Sequence, residues 1–342
     1  MKHLEVGRLV GRRFGVRWGA GVSRGTFGRL LYENSVSERG CSTGCLSFSI
    51  VLVMMPGMSP ETRHTRIIAV ANQKGGVGKT TTTINLGASM AEEGRNVLIV
   101  DLDPQANATT GVGVNSRDLK QSIYDVILQQ TSAADVRCST DIPNLDLLPS
   151  SLALAGAEIE LVAAFSREHR LERALAEIVD DYDIVLIDCP PALGLLTINA
   201  LVVAREVLVP IQCEYYALEG LVHLIGNVDL VRVNLNPDLV VSTIALVMYD
   251  ARTKLSEQVA DEVRTFFGTK VCRQVIPRSV RLSEAPSFGQ PINVYAPTSR
   301  GAVAYRELAR EILRGPVKLV SDQIIDNDEN GESENGSEEV QA

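Results

Sequence analysis

Residues Lys74-Gly-Gly-Val-Gly-Lys-Thr-Thr81 stand between a short apolar run, Arg66-Ile-Ile-Ala-Val-Ala-Asn72, and a stretch of helical pattern over 79–93 that Gly94 closes. A glycine-rich turn between a strand and a helix narrows the choice of fold more than any other feature of this chain. Glycines let the backbone turn so that several N–H groups point at one anion, and the helix start adds the positive end of its dipole. Lys79 is placed to neutralise β- and γ-phosphates, and the Thr80 hydroxyl to hold Mg²⁺. The expected cradle for ATP is therefore Gly75, Gly76, Val77, Gly78, Lys79, Thr80 and Thr81. Chance agreement with its specified positions is below about one in a million per start position.

The cradle departs from the pattern G-x-x-x-x-G-K-[ST] in two ways: Gln73 takes the place of the first glycine, and Lys74 adds a second cation. Two lysines in one tight loop repel, so an anion is their expected common partner. If Lys79 serves the phosphates of its own subunit, Lys74 has little room on the same side. A nucleotide held by a facing subunit is its natural target.

Asn96-Val-Leu-Ile-Val-Asp101 and Asp183-Ile-Val-Leu-Ile-Asp188 are near-continuous apolar runs of the kind covered on both faces, as in a parallel sheet. The second stops at Cys189-Pro190-Pro191. Further strands are predicted over 144–148, 206–211, 243–248 and 271–276, and a helix over 157–180. This alternation predicts an α/β fold: a doubly wound, mostly parallel sheet with helices on both faces, of the Rossmann-like P-loop NTPase class. Ligands bind at the carboxyl edge of such sheets. There Asp188 has the placement of a Walker B carboxylate that reaches Mg²⁺ through water, and Asp103 can orient or activate an attacking water.

The 342 residues are 45% hydrophobic and 22% charged, enough for a full core. A formal net charge of −9 excludes a uniformly basic nucleic-acid binder, but leaves room for a local basic patch. Residues 1–63 carry nine Lys and Arg against four Glu and show no sustained period. They read either as a basic arm that touches DNA or membrane, or as a start codon placed too early, with Met54, Met55 or Met58 as the real start. Little stable structure is expected in them. The domain is expected over 64–317. An acidic tail without a core of its own follows over 318–342, and it has no Lys or Arg from Ser321 onward. The six cysteines fit no zinc spacing, and no apolar run approaches the roughly 20 residues of a membrane span.

KGGVGKTT, the run DLDPQAN over 101–107 and LIDCPP over 186–191 resemble the ParA/MinD superfamily. The segments DARTK over 250–254, PRSVRLSEAPS over 277–287 and TSRGA over 298–302 resemble its chromosome-partitioning branch, the ParA/Soj proteins. The resemblance covers about 66–314. It implies a cytoplasmic, nucleoid-associated ATPase that forms an ATP-sandwich homodimer, with Lys74 reaching the facing subunit's nucleotide, Asp103 as the hydrolytic aspartate and Thr80 and Asp188 at the metal. It further implies that Pro277 and Arg278 line the adenine pocket, and that Arg252 and Arg281 bind nonspecific double-stranded DNA. A ParB-type centromere-binding partner would stimulate slow hydrolysis. A MinD-type membrane ATPase is the main alternative. It needs a basic amphipathic C-terminal helix, whereas this sequence is acidic there. A reductase sharing an iron–sulfur cluster through Cys138 and Cys189, and a scaffold that binds ATP without turnover, are weaker alternatives.

Overall fold

The computed structural model describes residues 65–215 and 217–315. Both flanking segments, and the expected domain limits at 64 and 317, lie outside these residues. Seven strands form one sheet: β1 (Arg66–Val70), β2 (Val97–Asp101), β3 (Cys138–Ser139), β4 (Leu145–Leu148), β5 (Ile184–Asp188), β6 (Glu206–Gln212) and β7 (Val240–Val247). Their order is β3-β4-β2-β5-β1-β6-β7, parallel except for the short edge strand β3. Among the described residues, six helices reach eight residues or more: α1 (Lys79–Glu92), α2 (Leu154–Leu161), α3 (Leu195–Val203), α4 (Ala217–Asn234), α5 (Lys254–Phe267) and α6 (Arg300–Arg314).

Strand periodicity sorts the core into two layers, because successive side chains point to opposite faces. Ile68, Val70, Val97, Ile99, Ile184 and Leu186 pack with Ile84, Leu86 and Met90 of α1 and with Tyr305, Leu308 and Ile312 of α6. Ala69, Leu98, Val100, Val185 and Ile187 face the other way, onto helices α2 to α5. The apolar runs predicted as buried strands are therefore buried on both faces, as a doubly wound sheet requires.

Two expectations are corrected. The segment over 271–276 is not a strand: a single bridge, Ile244 with Val271, joins it to β7, and a second, Tyr249 with Pro277, lies just beyond both. The N–H groups of Cys272 and Ile276 do donate to β7, at 3.0 and 2.8 Å. The intervening Gln274 N–H, which a regular ladder would turn to β7, donates instead to the Glu311 carboxylate at 3.0 Å. The single helix expected over 157–180 is broken into α2, a 3₁₀ turn at Arg167–His169, a short helix at Arg170–Leu175 and a second 3₁₀ turn at Val179–Asp181. Ser166 adopts a left-handed φ of 47°. Asn199 of α3 holds the break open: its amide donates to Arg167 O at 2.8 Å and accepts from Leu171 N at 3.1 Å.

Leu186, at 0% exposure in the centre of the sheet, has no room to be replaced by solvent. Leu186→Ala is expected to cost about 2–5 kcal/mol of unfolding free energy, read from urea midpoints of the two chains.

Candidate functional site

β1, β2 and β5 are adjacent and in register, so that Val70 lies opposite Asp188 and Asp188 opposite Asp101. Their carboxyl ends therefore finish at one level, and the loop that leaves β1 crosses directly above them. Gly76 and Gly78 take φ of 73° and 78°, left-handed values that a side chain disfavours. Val77 between them is buried and pins the loop to the domain. Helix α1 begins at Lys79, so the free N–H groups of its first turn open onto the same space. Thr81 lies one step further along the helix, half-buried, and its carbonyl accepts from Asn85 Nδ2 at 2.7 Å.

Lys79 is 6% exposed. Its ammonium donates to the Lys74 carbonyl at 3.3 Å and has no carboxylate partner among the described residues. Burial holds its pKa below the usual lysine value, partly offset by Asp188, Cys189 and Asp103. A buried cation met by one long hydrogen bond is a site for an anion. Asp188, at 0% exposure, accepts from Thr80 Oγ1 at 2.7 Å and from Thr83 Oγ1 at 3.1 Å. Asp101 beside it, also fully buried, accepts from Thr109 N and Oγ1 and from Asp103 N, at 2.8, 2.7 and 3.1 Å. Burial, and then the neighbouring Asp101, push Asp188 up to about 8. Burial raises Asp101 to about 6, against the lowering effect of its hydrogen bonds. Two buried carboxyls next to hydroxyls on the rim of an anion cradle form an oxygen donor set suited to a hard divalent cation such as Mg²⁺.

Asp103 leaves β2 two residues after Asp101. Its carboxylate caps the turn by accepting from Gln105 N at 2.9 Å, and its carbonyl accepts from Ser150 Oγ at 2.8 Å. Lys74 is half-exposed and pairs with Glu214, its Nζ 2.6 Å from Oε2. Pro277 and Arg278 run beside Tyr249, whose carbonyl accepts from Arg278 N at 3.0 Å. The neighbouring Met248 places its methyl 3.6 Å from where a Cβ on Gly78 would sit. This brings 277–278 to the flank of the loop. Arg252 and Arg281 are exposed, each held by a local carboxylate: Asp250 at 2.8 Å and Glu284 at 3.3 Å. The Tyr249–Pro277 bridge makes their two segments neighbours.

Several participants escaped sequence reasoning. Thr83 is one helical turn beyond Lys79, a spacing that could have flagged it. Asp101 could not be placed against Asp188 without the strand order. Glu214 sits 140 residues from Lys74, and nothing local marks it. Cys189, second half of the suggested cluster pair, is buried with its thiol pKa pushed up by burial, whereas Cys138 sits on β3 with β4 and β2 between it and β5.

Because burial raises the pKa of Asp188 and of Asp101 in the folded state, that state binds more protons than the unfolded chain above the ordinary carboxylate range. Stability of the metal-free protein should then fall as pH rises through this window. Asp188→Asn is expected to flatten that decline and raise the urea midpoint at pH 8. An unchanged difference between midpoints at pH 5 and pH 8 would contradict it.

An AAA-domain family model matches residues 65–241. The chain is 54% identical over 247 residues to the sporulation initiation inhibitor protein Soj of Bacillus subtilis, covering 72% of this chain and 98% of that protein. It is 49% identical over 250 residues to the chromosome partitioning protein ParA of Caulobacter vibrioides, covering 72% and 94%. Among solved structures, it superimposes with a TM-score of 0.65 and 40% identity on a Mycobacterium smegmatis protein described as cobyrinic acid a,c-diamide synthase with bound ATP analogue and magnesium, covering 73% of this chain and 95% of that one. With these identities over nearly the full length of the relatives, and with the loop, strand ends and topology described above, the chain belongs to the ParA/Soj family of chromosome-partitioning ATPases.

Proposed function

We propose that this chain is a Mg²⁺-dependent ATP hydrolase that dimerises on ATP, binds nonspecific double-stranded DNA in that state, and drives partitioning of chromosomal or plasmid DNA. The observation that carries the reading is the buried Lys79 ammonium, without a carboxylate partner among the described residues, followed directly by Thr80, whose hydroxyl donates to the buried Asp188. ATP and Mg²⁺ are also what the M. smegmatis structure was crystallised with, as an ATP analogue and magnesium.

In this reading Lys79 and the loop N–H groups hold the β- and γ-phosphates, and Pro277 and Arg278 flank the adenine. Thr80 and Asp188 would hold the cation. A bound Mg²⁺ neutralises charge that develops on the phosphate oxygens. Asp103, exposed to the cradle by the turn it caps, orients the attacking water. Turnover is slow in the isolated chain and rises when a ParB-type partner engages the DNA-bound dimer.

Lys74 is the switch. Its pair with Glu214 is half-exposed, and such pairs are worth about 0–1 kcal/mol. A triphosphate on a facing subunit, carrying several negative charges, outcompetes one exposed carboxylate. The apolar side chains Leu152, Ile159, Val162 and Phe165, 61–92% exposed, lie on and just beyond α2. They continue from Ser150, which is bonded to Asp103, and a second copy would cover them. On this basis Lys74→Ala should abolish ATP-dependent dimers in light scattering while leaving monomer nucleotide affinity within a few-fold. Intact dimers would defeat the assignment.

Nonspecific DNA binding draws on phosphate contacts and counterion release, so a few clustered cations suffice. Arg252 and Arg281 sit on adjacent segments, and their exposed local pairs cost little to exchange for phosphate. Dimerisation doubles their number on one assembly, which links DNA affinity to the nucleotide. This keeps the protein in the cytoplasm and on the nucleoid. Among the described residues no helix is long and apolar enough to cross a membrane. The decisive experiment measures ATP turnover with and without duplex DNA and a basic partner peptide, together with co-sedimentation on DNA or on anionic liposomes. Stimulated turnover and ATP-dependent retention on DNA are expected, with Arg252→Glu or Arg281→Glu losing retention but not dimers. Sedimentation with liposomes alone would point to the MinD-type alternative.

A further inference from the structure

At the edge of the sheet opposite the phosphate loop, the amino-terminal ends of β1, β6 and β7 leave a cavity of about 700 Å³. Its apolar lining comes from Val240, Val241, Val271 and Ile312. Its partly buried charges Arg66, Glu206 and Glu311 are already matched. Arg66 forks onto Glu206 at 2.7 and 2.8 Å and donates to Ile312 O at 3.0 Å. The Arg273 and Gln274 N–H groups donate to the two carboxylate oxygens of Glu311, at 2.7 and 3.0 Å. The charge left over is positive. The side chains of Lys270 and Arg273 are exposed and have no ion pair among the described residues. Arg264 reaches Asp261 only at 3.8 Å.

The backbone on one wall is also open. β7 is the edge strand, and from Ile244 onward its outer side is covered by the segment that carries Cys272 and Ile276. Before Ile244, over 240–243, no bridge covers it among the described residues. An open edge is a template on which an extended chain can add.

Gly315, directly after α6, lines this same cavity. The chain is therefore delivered to its mouth, and the sequence that follows has the complementary chemistry. Pro316-Val-Lys-Leu-Val320 is largely apolar, and residues 321–342 hold eight Asp and Glu with no Lys or Arg. We propose that the C-terminal segment of this chain docks in the cavity, with Val317, Leu319 and Val320 along the open edge of β7 and the carboxylates that follow against Lys270, Arg273 and Arg264. An extended segment advances roughly 3.3 Å per residue, so five residues cross a cavity of this size. Tethering at its rim sets an effective concentration in the mM range, and contacts too weak to hold a free peptide then suffice. A segment that cannot build a core of its own can still bury three apolar side chains in one already made. The docked segment also closes a sheet edge that would otherwise be free to pair with another molecule.

The inference is independent of the nucleotide reading, and its test needs no ATP. In the full chain, zero-length carbodiimide coupling followed by peptide mass spectrometry should join Lys270 to carboxylates of 322–339 within one chain. Amide hydrogen exchange over 240–243 should become about tenfold faster in Lys270→Glu/Arg273→Glu and in Leu319→Asp. The second variant changes none of the described residues 65–315, so it reports even if the first disturbs folding. Coupling spread equally over Lys74, Lys120 and Lys254, coupling only between chains, or exchange unchanged in both variants would each overturn the proposal.

Discussion

A fully buried carboxylate, Asp188, sits where three parallel strands finish together, and much of the molecule is arranged to keep it there. An isolated buried carboxylate is costly, and a second one alongside makes it more so. The fold meets this with two hydroxyls from the first turns of α1, although the parallel register sets Asp101 alongside and adds to the cost. The ordinary solution, a direct salt bridge, is not adopted. Lys79 is turned to a backbone carbonyl, and cation and carboxylates face a common space without cancelling each other. Such an arrangement is stable only because the surrounding two-layer core fixes every backbone segment that contributes to it.

Around this rigid centre lies a ring of charges of the opposite character. Lys74 with Glu214, Arg252 with Asp250 and Arg281 with Glu284 are each at least partly exposed on both sides, and such pairs are cheap to exchange. The buried groups are suited to holding a nucleotide and a cation tightly, and the exposed ones to changing partners. In the proposed switch these are separate tasks. Placing them in layers of different solvent access lets one side of the molecule bind firmly while its rim answers to a second subunit or to DNA.

The two edges of the sheet divide the remaining work. Every residue argued to touch nucleotide, metal or DNA lies at the carboxyl edge or on the segments just beyond it. The amino edge carries the start of β1, the end of α6 and the open flank of β7, so the flanking sequences join the domain away from the chemistry.

Much of this could be read from residue order. The buried strands show as continuous Val, Ile and Leu runs because both faces are covered. The cradle shows because its glycines, lysines and threonines must be consecutive to surround one anion. The strand-end carboxylates show because a polar residue that closes an apolar run has few other uses. What local pattern could not decide was anything that depends on which strands are neighbours. The placement of Asp101 against Asp188 follows from β2 lying beside β5. The capture of Lys74 by Glu214 follows from β6 lying beside β1. The failure of 271–276 to become a strand follows from Glu311 reaching its backbone from α6, and the break in the helix expected over 157–180 from Asn199 on α3. Sequence by itself determined the elements and the chemistry each one carries, since both are set by contiguous residues. Tertiary structure alone decided which charges are buried together and which remain free to exchange, since burial and pairing are properties of segments brought together from far along the chain.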